Sequence, residues 1–172
     1  MGEVGKLEAM NDGDGTALPR RRKFLVVVDQ TPECLKALRF AARRAARTGN
    51  LVAMLYVIEP DEFQHWVAVA DAIRAEARQQ AEARMAALVD EVKAMSGVAP
   101  EATVREGPRR ETVLAYLKSD PDVGQLVLGA GVGGEGPGPL VTSLAGQMSG
   151  GLPTPVTIVP GGMSNEEIDA MC

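Results

Sequence analysis

The chain has 172 residues, a formal charge of −5 from 18 Lys plus Arg against 23 Asp plus Glu, and 45% hydrophobic residues. That suits one domain able to bury roughly 70% of its extended surface without disulfides or metals. One His and two Cys leave no ligand set for zinc or an iron–sulfur cluster, few scattered aromatics give no stacking platform for nucleic acid, and no apolar run nears the roughly 20 residues of a membrane span.

In chain order, residues 1–19 carry Gly2, Gly5, Gly13 and Gly15 among polar residues and follow no helical or strand period, so they read as a disordered extension. They also lack the apolar core of a signal peptide, which makes the cytoplasm the expected location. The domain is expected over 20–161, opening on Arg20, Arg21, Arg22 and Lys23, a basic run that reads as a solvated arm. FLVVVD, residues 24–29, is a continuous β-branched run of the kind a parallel strand covered on both faces needs. Thr31 as N-cap, Pro32 and Glu33 then start a helix with Leu35, Leu38, Ala42 and Ala45 inward, ending at Gly49. Its other stripe, Lys36, Arg39, Arg43 and Arg47, reads as a solvated face.

LVAMLYVIEP, residues 51–60, is a second buried strand. From Asp61 to Met95 an apolar stripe runs through Phe63, Trp66, Ile73, Ala81, Met85, Leu88 and Val92. As one helix it would be roughly 50 Å long, so a break is expected between Phe63 and Asp71, leaving His65 and Trp66 in a separate segment over the sheet. Residues 102–106 alternate as a third strand, and a helix with Val113, Leu114 and Leu117 follows until Asp120, Pro121 and Asp122 stop it. Residues 125–128 form a fourth strand. A loop with Gly129, Gly131, Gly133, Gly134, Gly136 and Gly138 comes next, then a helix with Leu140, Leu144 and Met148, and a fifth strand over 155–159. Ser164 with Glu167 signals a capping box for one last turn in a short tail, 162–172. The pattern βαβαβαβαβ predicts an α/β fold: a five-stranded parallel sheet with helices on both faces.

In such a sheet ligands sit beyond the carboxyl ends of the strands, where the strand order reverses. The end of the first strand, with Val27, Val28 and Asp29, should meet the glycine-rich loop there. Loop amides and the following helix start favour an anion, with Thr142 and Ser143 as added hydroxyls. No Lys, Arg or His lies between Ser119 and Cys172, so backbone alone must hold an anion in that region. Gly129, Gly131 and Gly134 match G-x-G-x-x-G, but after the fourth strand rather than the first and without the acid that a dinucleotide fold needs about 20 residues on; no Lys follows as in a P-loop. Cys34 reads as a small buried thiol and Cys172 as an exposed terminal one. No catalytic constellation emerges.

FLVVVDQTPECLKALRFAARRA, LVAMLYVIEP and LVLGAGVGGEGPGPLVTSLAGQMSGGLPTPVTIVP together resemble the universal stress protein (UspA) family over about residues 23–160. The resemblance implies a Rossmann-like fold of strand order 3-2-1-4-5, a homodimer paired through the last strand and, in one branch, ATP with Mg at the switch point. That branch carries G-x-x-G-x9-G-[ST]. Here Gly129 and Ser143 match its first glycine and its hydroxyl, whereas Val132 and Thr142 stand at the other two glycine positions, with Gly131 beside them. The resemblance further implies that Asp29 contacts the adenosine part, Val27 lines the adenine pocket and Val57 offers its backbone to the base. Two functions follow: a cytoplasmic stress-response protein regulated by an adenine nucleotide, or a dimeric module of the same fold that acts through a protein partner without nucleotide. Val156, Thr157, Ile158 and Val159 would form the paired edge.

Overall fold

In the computed structural model, which describes residues 21–60, 67–147 and 149–172, the apolar runs become the strands of one parallel sheet. They are β1 (Lys23–Val28), β2 (Leu51–Ile58), β3 (Glu101–Glu106), β4 (Val123–Ala130) and β5 (Val156–Pro160), in the order β3-β2-β1-β4-β5. All four pairings are parallel, as expected. β1 is central, and Phe24 through Val28 are all buried, which is why its sequence does not alternate.

Successive β1 side chains feed two cores. Phe24, Val26 and Val28 pack with Leu38, Met85, Leu88, Val92 and Ile168 beneath α1 (Pro32–Thr48), α2 (Val67–Ser96) and α4 (Asn165–Met171). Leu25 and Val27 pack with Val113, Leu117, Leu126 and Leu144 beneath α3 (Arg109–Ser119) and a π-helical turn, Val141–Gln147. α1 starts at Pro32 and ends where Gly49, at φ 68, turns left-handed and donates its N–H to Ala45 O. Thr31 sits at the N-cap position, but its side chain makes no cap bond.

α2 starts at Val67 and runs unbroken through 71; the rest of the span where a break was expected, with Phe63, His65 and Trp66, lies outside the described residues. No Gly or Pro interrupts its 30 residues. Between Asp71 and Gln80 no residue is buried, with Ile73 49% exposed, and close packing starts at Ala81. Arg74 and Arg78 tie this stretch to Glu106 at the end of β3. Among the described residues no helix is long and apolar enough to cross a membrane.

The described part of the basic run, 21–23, is bonded to the domain rather than a free solvated arm. Arg21 Nε donates to Gly49 O at 2.7 Å, and Lys23 Nζ pairs with Glu101 at 2.7 Å and Asp120 at 2.9 Å across the amino edge of the sheet. Burial works against the Lys23 charge, but the two carboxylates outweigh it and raise its pKa. The basic stripe of α1 is likewise engaged. Arg39 and Arg43 both pair with Asp169, Arg39 Nε donating at 2.8 Å, and Lys36 Nζ donates to Asn165 Oδ1 at 3.0 Å. The partner is α4, a two-turn helix where one turn was expected, started by the predicted capping box between Ser164 and Glu167. Ile168 is its buried anchor. Cys172 is therefore buried rather than exposed, its thiol donating to Phe40 O at 3.7 Å.

Candidate ligand cleft

β1 and β4 are neighbours, yet the chain leaves β1 for the α1 face and leaves β4 for the face of the π turn. This divergence opens a crevice at their carboxyl ends. It is a cleft of about 110 Å³ lined by Val27, Asp29, Thr31, Glu33, Cys34, Arg109, Leu128, Gly129 and the segment Pro137, Gly138, Pro139, Leu140 and Val141.

Asp29 stands at the end of β1. Its Oδ1 accepts from the Thr31 N–H at 2.8 Å and from Thr31 Oγ1 at 2.6 Å, which is why Thr31 does not cap α1. That pair fixes the carboxylate at the rim. Beneath it lies Cys34, whose thiol points to Val27 O at 3.9 Å. Burial pushes the Cys34 pKa up to about 11, so the thiol is neutral and a poor nucleophile.

Gly129 ends the cleft on the β4 side for a steric reason. A Cβ there would stand 2.3 Å from Glu33 O, so α1 and β4 meet this closely only over a glycine. At Gly131 a Cβ would meet Gly136 O at 3.2 Å and Glu33 Oε1 at 3.3 Å. The loop closes on itself: the Gly131 N–H donates to Pro137 O and the Gly136 N–H to Gly133 O, each at 3.3 Å. Its left-handed residues are Gly136 (φ 87) and Gly138 (φ 101). Thr142, at the third motif position, is helical instead; its N–H and Oγ1 both bond Gly138 O at 3.0 Å. The positive-φ turn has moved upstream, which removes the need for glycine at 142.

Of the eight residues singled out from sequence, Val27, Asp29 and Gly129 line this cleft together. The other five do not line it. Val57 is buried in the core of the α3 face, and Gly131 lies behind Gly129. Val132 is 75% exposed and turns away, a methyl lying 3.3 Å from where a Cβ on Gly162 would stand. Thr142 is exposed, and Ser143 Oγ is buried without a hydrogen-bond partner among the described residues. Sequence reasoning missed Glu33 and Arg109. Arg109 opens α3 and pairs with Glu59 at 3.0 Å, bringing a cation to the cleft from beyond β3. The available signal was the Gly107–Pro108 turn, which starts α3 at the same end of the sheet as Asp29.

A model of the universal stress protein family matches residues 20–160. The chain belongs to that family. Solved structures share its fold. The universal stress protein UspA from Lactobacillus plantarum is 22% identical with a TM-score of 0.68, over 81% of this chain and 98% of that one. An Arabidopsis thaliana family member with AMP bound is 14% identical at TM-score 0.53, covering 81% and 91%. The universal stress protein from Archaeoglobus fulgidus in complex with dAMP is 16% identical at 0.51, covering 80% and 96%. No curated protein sequence matches the chain. For this universal stress protein, the similarity to those structures is one of fold.

Proposed function

We propose that this universal stress protein is a non-catalytic, cytoplasmic stress-response protein that binds an adenine nucleotide as a regulatory ligand and works as a homodimer. The observation that carries the reading is the convergence of Val27, Asp29 and Gly129 on one cleft where the strand order reverses. Asp29 has Oδ1 committed to Thr31, leaving Oδ2 for a ribose hydroxyl. Two family members of the same fold carry AMP and dAMP. ATP with Mg is the fuller form of the expected ligand. The cleft suits its adenosine part better than its phosphates, because Ser143 Oγ does not reach it and Pro137 occupies its rim. About 110 Å³ is also small beside the roughly 300–1,000 Å³ of typical ligand sites, so the 131–138 loop must move for a whole nucleotide to enter.

Pro137 favours the second reading. A loop hydrogen-bonded to itself, with a proline in the cleft, suits a dimeric module that binds a protein partner and no nucleotide. Titration calorimetry of the nucleotide-stripped protein with AMP and with ATP and magnesium separates the two. The nucleotide reading predicts a micromolar Kd for at least one of them, about −8 kcal/mol, weakened by Asp29→Ala. No heat at millimolar nucleotide, with an unchanged Tm, would leave the interaction module.

A further inference from the structure

We infer that the cleft discriminates by phosphate count, taking adenosine or adenosine monophosphate and rejecting the triphosphate, with Glu33 as the residue that sets the limit. The inference rests on the nucleotide reading above. Glu33 belongs to the first turn of α1 and lines the cleft. Its Oε1 stands 3.3 Å from the position of a Cβ on Gly131, so its carboxylate lies against the glycine loop whose amides a phosphate chain would need. Loop amides beside a helix start favour an anion, and here the Glu33 carboxylate stands next to that loop.

Nothing in the loop offsets this charge. It contains no Lys or Arg, and it adds Glu135. Asp29 and Glu33 both line the cleft, against the single guanidinium of Arg109, which Glu59 holds at 3.0 Å. Each further phosphate adds negative charge to a ligand that meets two carboxylates and one shared cation. The small volume acts in the same direction, because a triphosphate needs more room than AMP in a cleft of about 110 Å³ that Glu33 lines.

The test is calorimetric titration of the full chain with adenosine, AMP and ATP, each with and without magnesium, for wild type and Glu33→Gln. Wild type should bind AMP at least about tenfold tighter than ATP, and Glu33→Gln should close that ratio to within about threefold. Equal affinity of wild type for AMP and ATP would overturn the inference and keep the nucleotide reading. A Glu33→Gln ratio equal to that of wild type would overturn the role of Glu33. Binding of none of the three by wild type would overturn both the inference and the nucleotide reading. The wild-type ratio stands without the variant, so failure of Glu33→Gln to fold does not remove the test.

Discussion

Gly129 shows how one residue can carry a steric reason that its sequence context does not display. Its place after β4 in a glycine-rich loop points to a phosphate contact, whereas its space is taken by the backbone of Glu33 at 2.3 Å from a would-be Cβ. Gly129→Ala should therefore destabilise the fold by about 3 kcal/mol, read by urea unfolding, independent of any ligand. Gly133, with nothing within 4 Å of its Cβ position and no positive φ, is the control, and Gly133→Ala should stay within about 0.5 kcal/mol. Equal effects would contradict the steric account. Cys34 gives a pH prediction. Its folded pKa of about 11 lies above the ordinary thiol value of about 8.5, so its stabilisation is complete below pH ~8.5 and is lost as pH rises towards 11. A thiol reagent at pH 8 should accordingly leave Cys34 untouched until the protein unfolds; rapid native-state labelling would count against its burial. Asp29 was legible because an acid closing a buried β-branched run has few other purposes. Glu33 and Arg109 were not, since one looked like a helix-start acid and the other reaches the cleft only through the crossover from β3.

At the level of elements, α4 is the part of the molecule that sequence pattern undersold. Its capping box was readable, but its docking depends on Asn165 and Asp169 meeting Lys36, Arg39 and Arg43 from a helix more than 120 residues earlier. A basic stripe facing solvent and one facing a docked acidic helix have the same sequence. Ser164→Ala should cost α4 about 1 kcal/mol, visible as faster amide exchange confined to Asn165–Met171; unchanged exchange would deny the cap its role. The Arg39 hydrogen bond, helped by the charges of Arg39 and Arg43, lowers the Asp169 pKa against the opposing effect of desolvation. A lowered carboxylate pKa stabilises above its unfolded value of about 3.9, and that contribution fades as pH falls through the folded value. The Tm gap between wild type and Asp169→Asn should thus be present at pH 7 and close below pH ~4. A gap that does not shrink at all as pH falls below ~4 would assign the effect to something other than the ion pair. α2 illustrates how length is sustained: an uninterrupted run from Val67 without Gly or Pro is pinned to Glu106 by Arg74 and Arg78.

For the whole molecule, the alternation of apolar runs and helices led to a parallel sheet covered on both faces, while the strand order β3-β2-β1-β4-β5 was implied by the family resemblance. The course of the 131–138 loop was not legible, since six glycines in ten residues permit many paths and only packing against Glu33 and Pro137 selects one. β5 pairs only with β4 among the described strands, and Ile158 on it is 42% exposed. Such an edge is satisfied by a two-fold copy of itself. Sedimentation should give a dimer for wild type and a lighter species for Ile158→Asp, whereas a monomer mass at every concentration would remove the dimer from the proposal. The central claim is that an adenine nucleotide enters the cleft between β1 and β4. It is tested most directly by following the backbone amide resonances of the ¹⁵N-labelled protein as AMP is added. Saturable shifts centred on Val27, Val28, Asp29, Thr31 and Gly129 are the predicted result, and shifts absent at millimolar AMP, or confined to the far end of the sheet around Lys23 and Asp120, would contradict it.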